Sequence, residues 1–165
     1  PIDELGEGTQ FFIMLLMFVG ASPGSTGGGV KTVALATTAL AAVAILRGRD
    51  RVEVCHRTIP EDVVRRALLI VSLGAAVVVG ATVVLVALEH PPRGAFVAHL
   101  FEVTSAFATV GLSTGITPEL GVPGRILILV LMFAGRVGPL TLMLALVGRS
   151  TTPRYRYPEE RVMLG

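Results

Sequence analysis

Phe96–Gly115 reads FVAHLFEVTSAFATVGLSTG. Phe96, Leu100, Val103 and Phe107 recur at helical spacing, so residues 96–108 are expected to form an amphipathic helix about 20 Å long. A bilayer's hydrocarbon core is about 30 Å thick, so this helix is too short to cross it. The run Thr109-Val110-Gly111-Leu112-Ser113-Thr114-Gly115 follows without a break, then Pro118 and a polar stretch. On the amino-terminal side, residues 67–88 (ALLIVSLGAAVVVGATVVLVAL) carry no charge and would make roughly 33 Å of helix. On the carboxy-terminal side, residues 126–148 carry one charge, Arg136. Their Gly138-Pro139 pair predicts a bend or break. Span, short helix, Thr-Val-Gly and span again is the order of a re-entrant pore loop.

That order suits a cation. A half-helix that aims its C-terminus inward presents the negative end of its dipole. An extended Thr-Val-Gly strand can offer carbonyl oxygens in place of an ion's water, and Gly111 supplies the backbone freedom such a strand needs. Glu102, inside the short helix, reads as a buried carboxyl bonded to backbone or hydroxyl groups rather than as an ion site. His90 and His99 flank the helix and are expected at the membrane interface.

Upstream, FFIMLLMFVG (11–20) and VALATTALAAVAIL (33–46) are each too short to span comfortably, and ASPGSTGGGVKT separates them. They are expected to form one membrane-spanning segment broken at its centre. Irregular backbone at that depth survives only where protein or a water-filled cavity surrounds it. The loop therefore argues for a transport path.

Composition agrees. Of 165 residues, 52% are hydrophobic and 16% charged, against about 25% charged in soluble domains. An ordinary cytosolic enzyme, a disordered tail and a nucleic-acid module with a dense basic face are all disfavoured. Cys55 is the single cysteine, so no internal disulfide or multi-thiolate metal site can form. With proline first, the chain reads as a fragment. Arginines 47, 49, 51, 57, 65 and 66 lie between the first two apolar regions, and 149, 154, 156 and 161 follow the last. Both segments are expected to be cytoplasmic, with the C-terminus inside.

Three stretches together resemble the Trk/Ktr/HKT superfamily of potassium transporters, its Ktr-like pore-forming membrane subunits in particular: 24–31 (GSTGGGVK), 101–115 (FEVTSAFATVGLSTG) and 135–141 (GRVGPLT). The closing 156–165 (RYPEERVMLG) is similar to the end of bacterial Ktr-type members. The resemblance implies an all-α membrane protein of span, pore-helix, span repeats. Residues 1–46 would end the third repeat, with an intramembrane gate loop at 20–31. Residues 47–66 would be a cytoplasmic connector, and 67–148 the complete fourth repeat. Within it fall a span at 67–88, a pore helix at 96–108, a filter at 109–115 and a span at 124–148, before a tail at 149–165. It further implies that Thr109, Val110, Gly111, Leu112 and Ser113 contribute backbone carbonyls to a potassium filter. Gly20, Gly24, Ser25, Thr26, Gly27, Gly28, Gly29 and Lys31 would form the gate, with Arg136 facing it.

The function so implied is multi-pass, plasma-membrane potassium uptake, with potassium as substrate and no cofactor in this chain. The implied partners are membrane lipid, a second copy in a homodimer and a cytoplasmic nucleotide-binding regulatory subunit, with no nucleic acid. Sodium or mixed transport on the same fold, or a non-conducting scaffold, are the alternatives. Enzymatic chemistry is not expected. GSTGGGVKT superficially matches a phosphate-binding loop, but Val30 intervenes between Gly29 and Lys31 and spoils the spacing.

Overall fold

The computed structural model describes residues 2–138 except Asp3, Glu4, Pro23, Thr26, Asp50, Cys55, His56 and Arg93. The gate residue Thr26, the second half of the last expected span and the tail 149–165 lie outside the described residues. The described residues form five α-helices, one small hairpin and a 3-10 turn (Thr117–Glu119): α1 (Glu7–Phe18), α2 (Thr32–Leu46), β1 (Glu53–Val54), β2 (Arg57–Thr58), α3 (Glu61–Glu89), α4 (Phe96–Ala108) and α5 (Val122–Val137). The expected all-α class holds apart from the hairpin, which the sequence reading did not anticipate. Its pairing, Glu53 with Thr58 and Val54 with Arg57, is antiparallel.

Among the described residues α3 alone is long and apolar enough to cross a membrane. At 29 residues it is about 44 Å long. It begins earlier than expected, so residues 61–66 of the supposed connector are helical. Pro60 stands at its N-cap, and Glu61 and Asp62 occupy its first turn, where carboxylates complement the helix dipole. Only 22% of its most apolar window is buried within this chain. A soluble protein's core helix would be enclosed; this one leaves Leu69, Val79, Val83 and Leu88 exposed, for lipid or neighbouring helices.

The broken segment is present as two pieces of 12 and 15 residues. Val19 and Val30 form a parallel bridge, closed by Gly20 N–H donating to the Val30 carbonyl (2.7 Å) and Val30 N–H to that of Phe18 (3.3 Å). Because the bridge is parallel, the chain leaves the loop in the direction in which it entered. The two half-helices therefore continue one another across the break.

At the centre lies α4, which packs against α1, α3 and α5. Phe101, Val103 and Phe107 are fully buried, while Phe96 is exposed. The expected amphipathic helix is thus enclosed on nearly every side, with its polar His99, Glu102, Thr104 and Ser105 buried as well. Phe107 stacks on Phe18, with ring centroids 6.5 Å apart. His99 is likewise buried rather than interfacial, its Nδ1 2.8 Å from the Ala95 carbonyl. Small residues permit this density: a Cβ on Gly74 would lie 2.7 Å from Val30 Cγ2 and 3.5 Å from the Phe107 ring. One on Gly135 would overlap the Phe107 carbonyl, so α5 rests with its backbone against that of α4.

Candidate functional site

Residues 109–115 leave α4 through Thr109, a non-glycine residue with φ 54°. This left-handed conformation is costly for a β-branched side chain, and local bonds hold it. Thr109 N–H donates to the Ala106 carbonyl and Val110 N–H to that of Ser105, both at 3.1 Å. Gly111 also has a positive φ of 84°, and a Cβ there would meet nothing within 4 Å. Its requirement is conformational rather than steric: an L side chain at that φ is strained.

Farther along, the strand is tied down by Glu102. This carboxylate is 5% exposed and accepts hydrogen bonds from the Ser113 hydroxyl and the Thr114 N–H (3.2 Å). Ser113 Oγ accepts in turn from Gly115 N–H (2.9 Å). The buried, hydrogen-bonded carboxyl anticipated at this position is what is found. A buried carboxyl group is tolerated only when its polar atoms are so satisfied.

The glycine loop lies directly against the start of this strand. Gly28 N–H donates to Thr109 Oγ1 at 2.8 Å. Substituent-free positions make the approach possible: a Cβ on Gly28 would sit 2.7 Å from Thr109 Oγ1, and one on Gly29 3.4 Å from Ala108. A Cβ on Gly20 would overlap the Gly28 carbonyl. Between loop and strand opens a cleft of roughly 540 Å³, with Gly20, Ala21, Gly27 and Gly28 on one side and Thr109, Val110 and Leu112 on the other.

Lys31, at the loop's far end, folds back over it. Its Nζ donates to the carbonyls of Gly27 (2.7 Å) and Ser25 (3.3 Å). Arg136, expected to face the loop, is exposed in the last turn of α5, and among the described residues Lys31 is the side chain that holds the loop carbonyls. It is instead the Gly135 carbonyl that approaches Gly28, 3.1 Å from where a Cβ would stand. Gly24, with φ 88° and open space around it, sits in the loop's turn. The structure thus brings Gly20, Gly27, Gly28, Gly29 and Lys31 together with Thr109 and Val110.

α5 ends at Val137 and Gly138 takes φ 90°, at the first residue of the pair where a bend or break is expected; Pro139 lies outside the described residues. The Glu89 carboxylate, at the end of α3, accepts from Gly121 N–H (3.1 and 3.0 Å) at the start of α5.

Against known families, residues 1–152 match TrkH, described as a cation transport protein. The chain belongs to the TrkH family. It is 39% identical over 164 residues to the Ktr system potassium uptake protein D of Bacillus subtilis, covering 99% of this chain and 36% of that protein. It is 39% identical to the potassium/sodium uptake protein NtpJ of Enterococcus hirae over 98% of this chain and 37% of the relative. Likeness to the Ktr system potassium uptake protein B of Vibrio alginolyticus is 37%, over 99% of this chain and 35% of that protein. This TrkH-family chain therefore spans little more than a third of the length of the curated relatives it matches. The family is one of transporters rather than enzymes.

Proposed function

We propose that this chain carries one quarter of a potassium-selective filter, Thr109–Ser113, and the glycine-rich loop that gates it, within a plasma-membrane uptake protein. The Gly28 N–H to Thr109 Oγ1 contact carries this reading, because it sets the loop against the first residue of the strand assigned to the ion. In the closed state the loop blocks the exit, with Lys31 bonding its carbonyls and placing positive charge beside the route of a cation. Potassium sheds water against main-chain oxygens and passes when the loop moves aside. Names of relatives from Bacillus and Vibrio as potassium uptake proteins of Ktr systems favour this cargo. The word system in those names fits a membrane subunit that works with other components; the homodimer, the cytoplasmic nucleotide-binding regulator and the cytoplasmic C-terminus belong to the proposal through the sequence resemblance. The Enterococcus relative's description as a potassium/sodium uptake protein favours a second reading, in which the pathway also admits sodium.

The test is rubidium uptake by the full-length parent in cells deprived of their own potassium uptake. Removing residues 24–27, which leaves the Gly28 contact's partners in place, should raise flux, while Gly111→Asp should abolish it at unchanged membrane abundance. Flux unaltered by both changes would leave a non-conducting scaffold. Competition by sodium in the same assay decides between the two cargoes.

Two finer outcomes follow. Thr109→Val preserves shape but removes the acceptor of the Gly28 N–H, an unmet bond worth about 1–3 kcal/mol. Resting rubidium leak should rise roughly tenfold, and an unchanged leak would mean that this bond does not hold the loop shut. Lys31→Met removes two charge-assisted bonds and should raise leak in the same direction, whereas Lys31→Arg should retain much of the block.

A further inference from the structure

We propose that the cleft between the end of α2, the β1–β2 hairpin and the first turns of α3 binds an anionic phospholipid. The cleft holds roughly 480 Å³. Its apolar lining comes from Ala41 and Ala44 on α2 and Val64 and Leu68 on α3, and Arg49, Arg51 and Arg65 stand at its rim with Glu61, the one carboxylate among the described lining residues. A phosphodiester fits such a rim, since guanidinium groups present paired donors to phosphate oxygens, and the three arginines outweigh Glu61.

The apolar wall points to an acyl chain rather than to free phosphate or a nucleotide. Ile45 is 73% and Leu46 86% exposed beside the cleft, at the level where the uncharged stretch of α3 begins. Exposed aliphatic surface continuous with a basic rim matches an amphiphile lying along the helix with its headgroup at the boundary.

The rim is built rather than loose. Arg49 N–H donates to the Ala44 carbonyl (2.9 Å) and Ile59 N–H to that of Val52 (2.8 Å). Gly48, with φ 64°, turns the chain back over the end of α2. These bonds fix the backbone on both sides of the arginines before any ligand arrives. A simple topological excess of positive charge would need no such scaffold.

Native mass spectrometry of the purified full-length parent, in micelles containing equal dioleoyl phosphatidylglycerol and phosphatidylcholine, tests the proposal. The parent should retain phosphatidylglycerol preferentially, and the Arg49→Gln/Arg51→Gln/Arg65→Gln variant should lose that retention roughly tenfold. The charge-matched control Arg47→Gln/Arg57→Gln/Arg66→Gln, which leaves the rim intact, should keep it. Should the triple variant fail to fold, Arg51→Gln alone, in the exposed connector, should give a smaller loss in the same direction. Equal losses in rim and control variants would overturn the site, as would equal retention of both lipids or equal thermal stabilisation by inorganic phosphate. Unchanged lipid retention with loss of a soluble regulatory protein would make the cleft a protein-docking surface instead. The readout involves no ion flux, so its failure leaves the transport proposal standing, and the reverse holds too.

Discussion

Replacing Gly135 with alanine should unseat α5 from α4 and cost the full-length protein about 3 kcal/mol, the upper end of what overpacking usually costs. The obstacle to the new methyl group is the Phe107 carbonyl, a main-chain atom one residue from the end of the buried α4. No rotamer change can clear it. Either α5 moves away, opening the contact beside Gly28, or the last turn of α4 distorts and takes Thr109 with it. Thermal unfolding in detergent should show a clear fall in midpoint together with lost uptake. Gly124→Ala is the informative comparison, because there the added methyl meets the Glu89 carboxylate, the end of a flexible side chain. That group can swing away, at the cost of its bond to Gly121 N–H and about 1 kcal/mol of capping. If the two substitutions prove equally damaging, the backbone contact between α4 and α5 is not the tight element described above.

Glu102→Ala should damage both stability and function. It strands the Ser113 hydroxyl and Thr114 N–H, each bonded to a buried carboxylate; bonds to charged groups contribute about 1.5–3 kcal/mol apiece. Losing both frees the second half of the strand. Discrimination of potassium over sodium should then fall roughly tenfold or more, a factor of ten for each 1.4 kcal/mol. Glu102→Gln keeps an acceptor oxygen for one donor and should fall between the parent and the alanine variant. A Glu102→Ala protein with native selectivity would show that the strand holds its shape without this anchor. Competition of sodium and lithium against rubidium uptake reads the difference directly.

Much of this arrangement was legible in the residues themselves. The charge-free run 67–88 had to be a long helix, and 96–108 had to be a short one, because length and polarity leave little choice. The glycines and proline of 20–31 had to interrupt a segment whose two halves were each too short. What stayed hidden depends on which residues meet in space. Hydrophobic spacing pointed to an amphipathic α4, but the enclosure of that helix by three others decides its burial, and Phe96 and His99 exchanged their expected surroundings. Arg136 drew attention as a lone charge in an apolar run. Lys31 bonds the carbonyls of Ser25 and Gly27, because it is four residues from Gly27 and a folded side chain reaches back. Glu102 could be suspected of burial from the cost of an unpaired carboxylate, but its partners lie eleven and twelve residues along the chain, beyond what local pattern reveals. The hairpin at 53–58 has no such excuse; its alternation was simply too short to register.

The parallel bridge at Val19 and Val30 has a bearing on how such proteins diversify. Because main-chain bonds close the neck, the stretch between Ala21 and Gly27 is not needed to keep the two half-helices in line. It is free to behave as an exchangeable cassette, whose size and stiffness natural selection can adjust while the surrounding bundle stays as it is. Leakiness and turnover would then be inherited separately from cargo preference, each written in its own short segment of the chain.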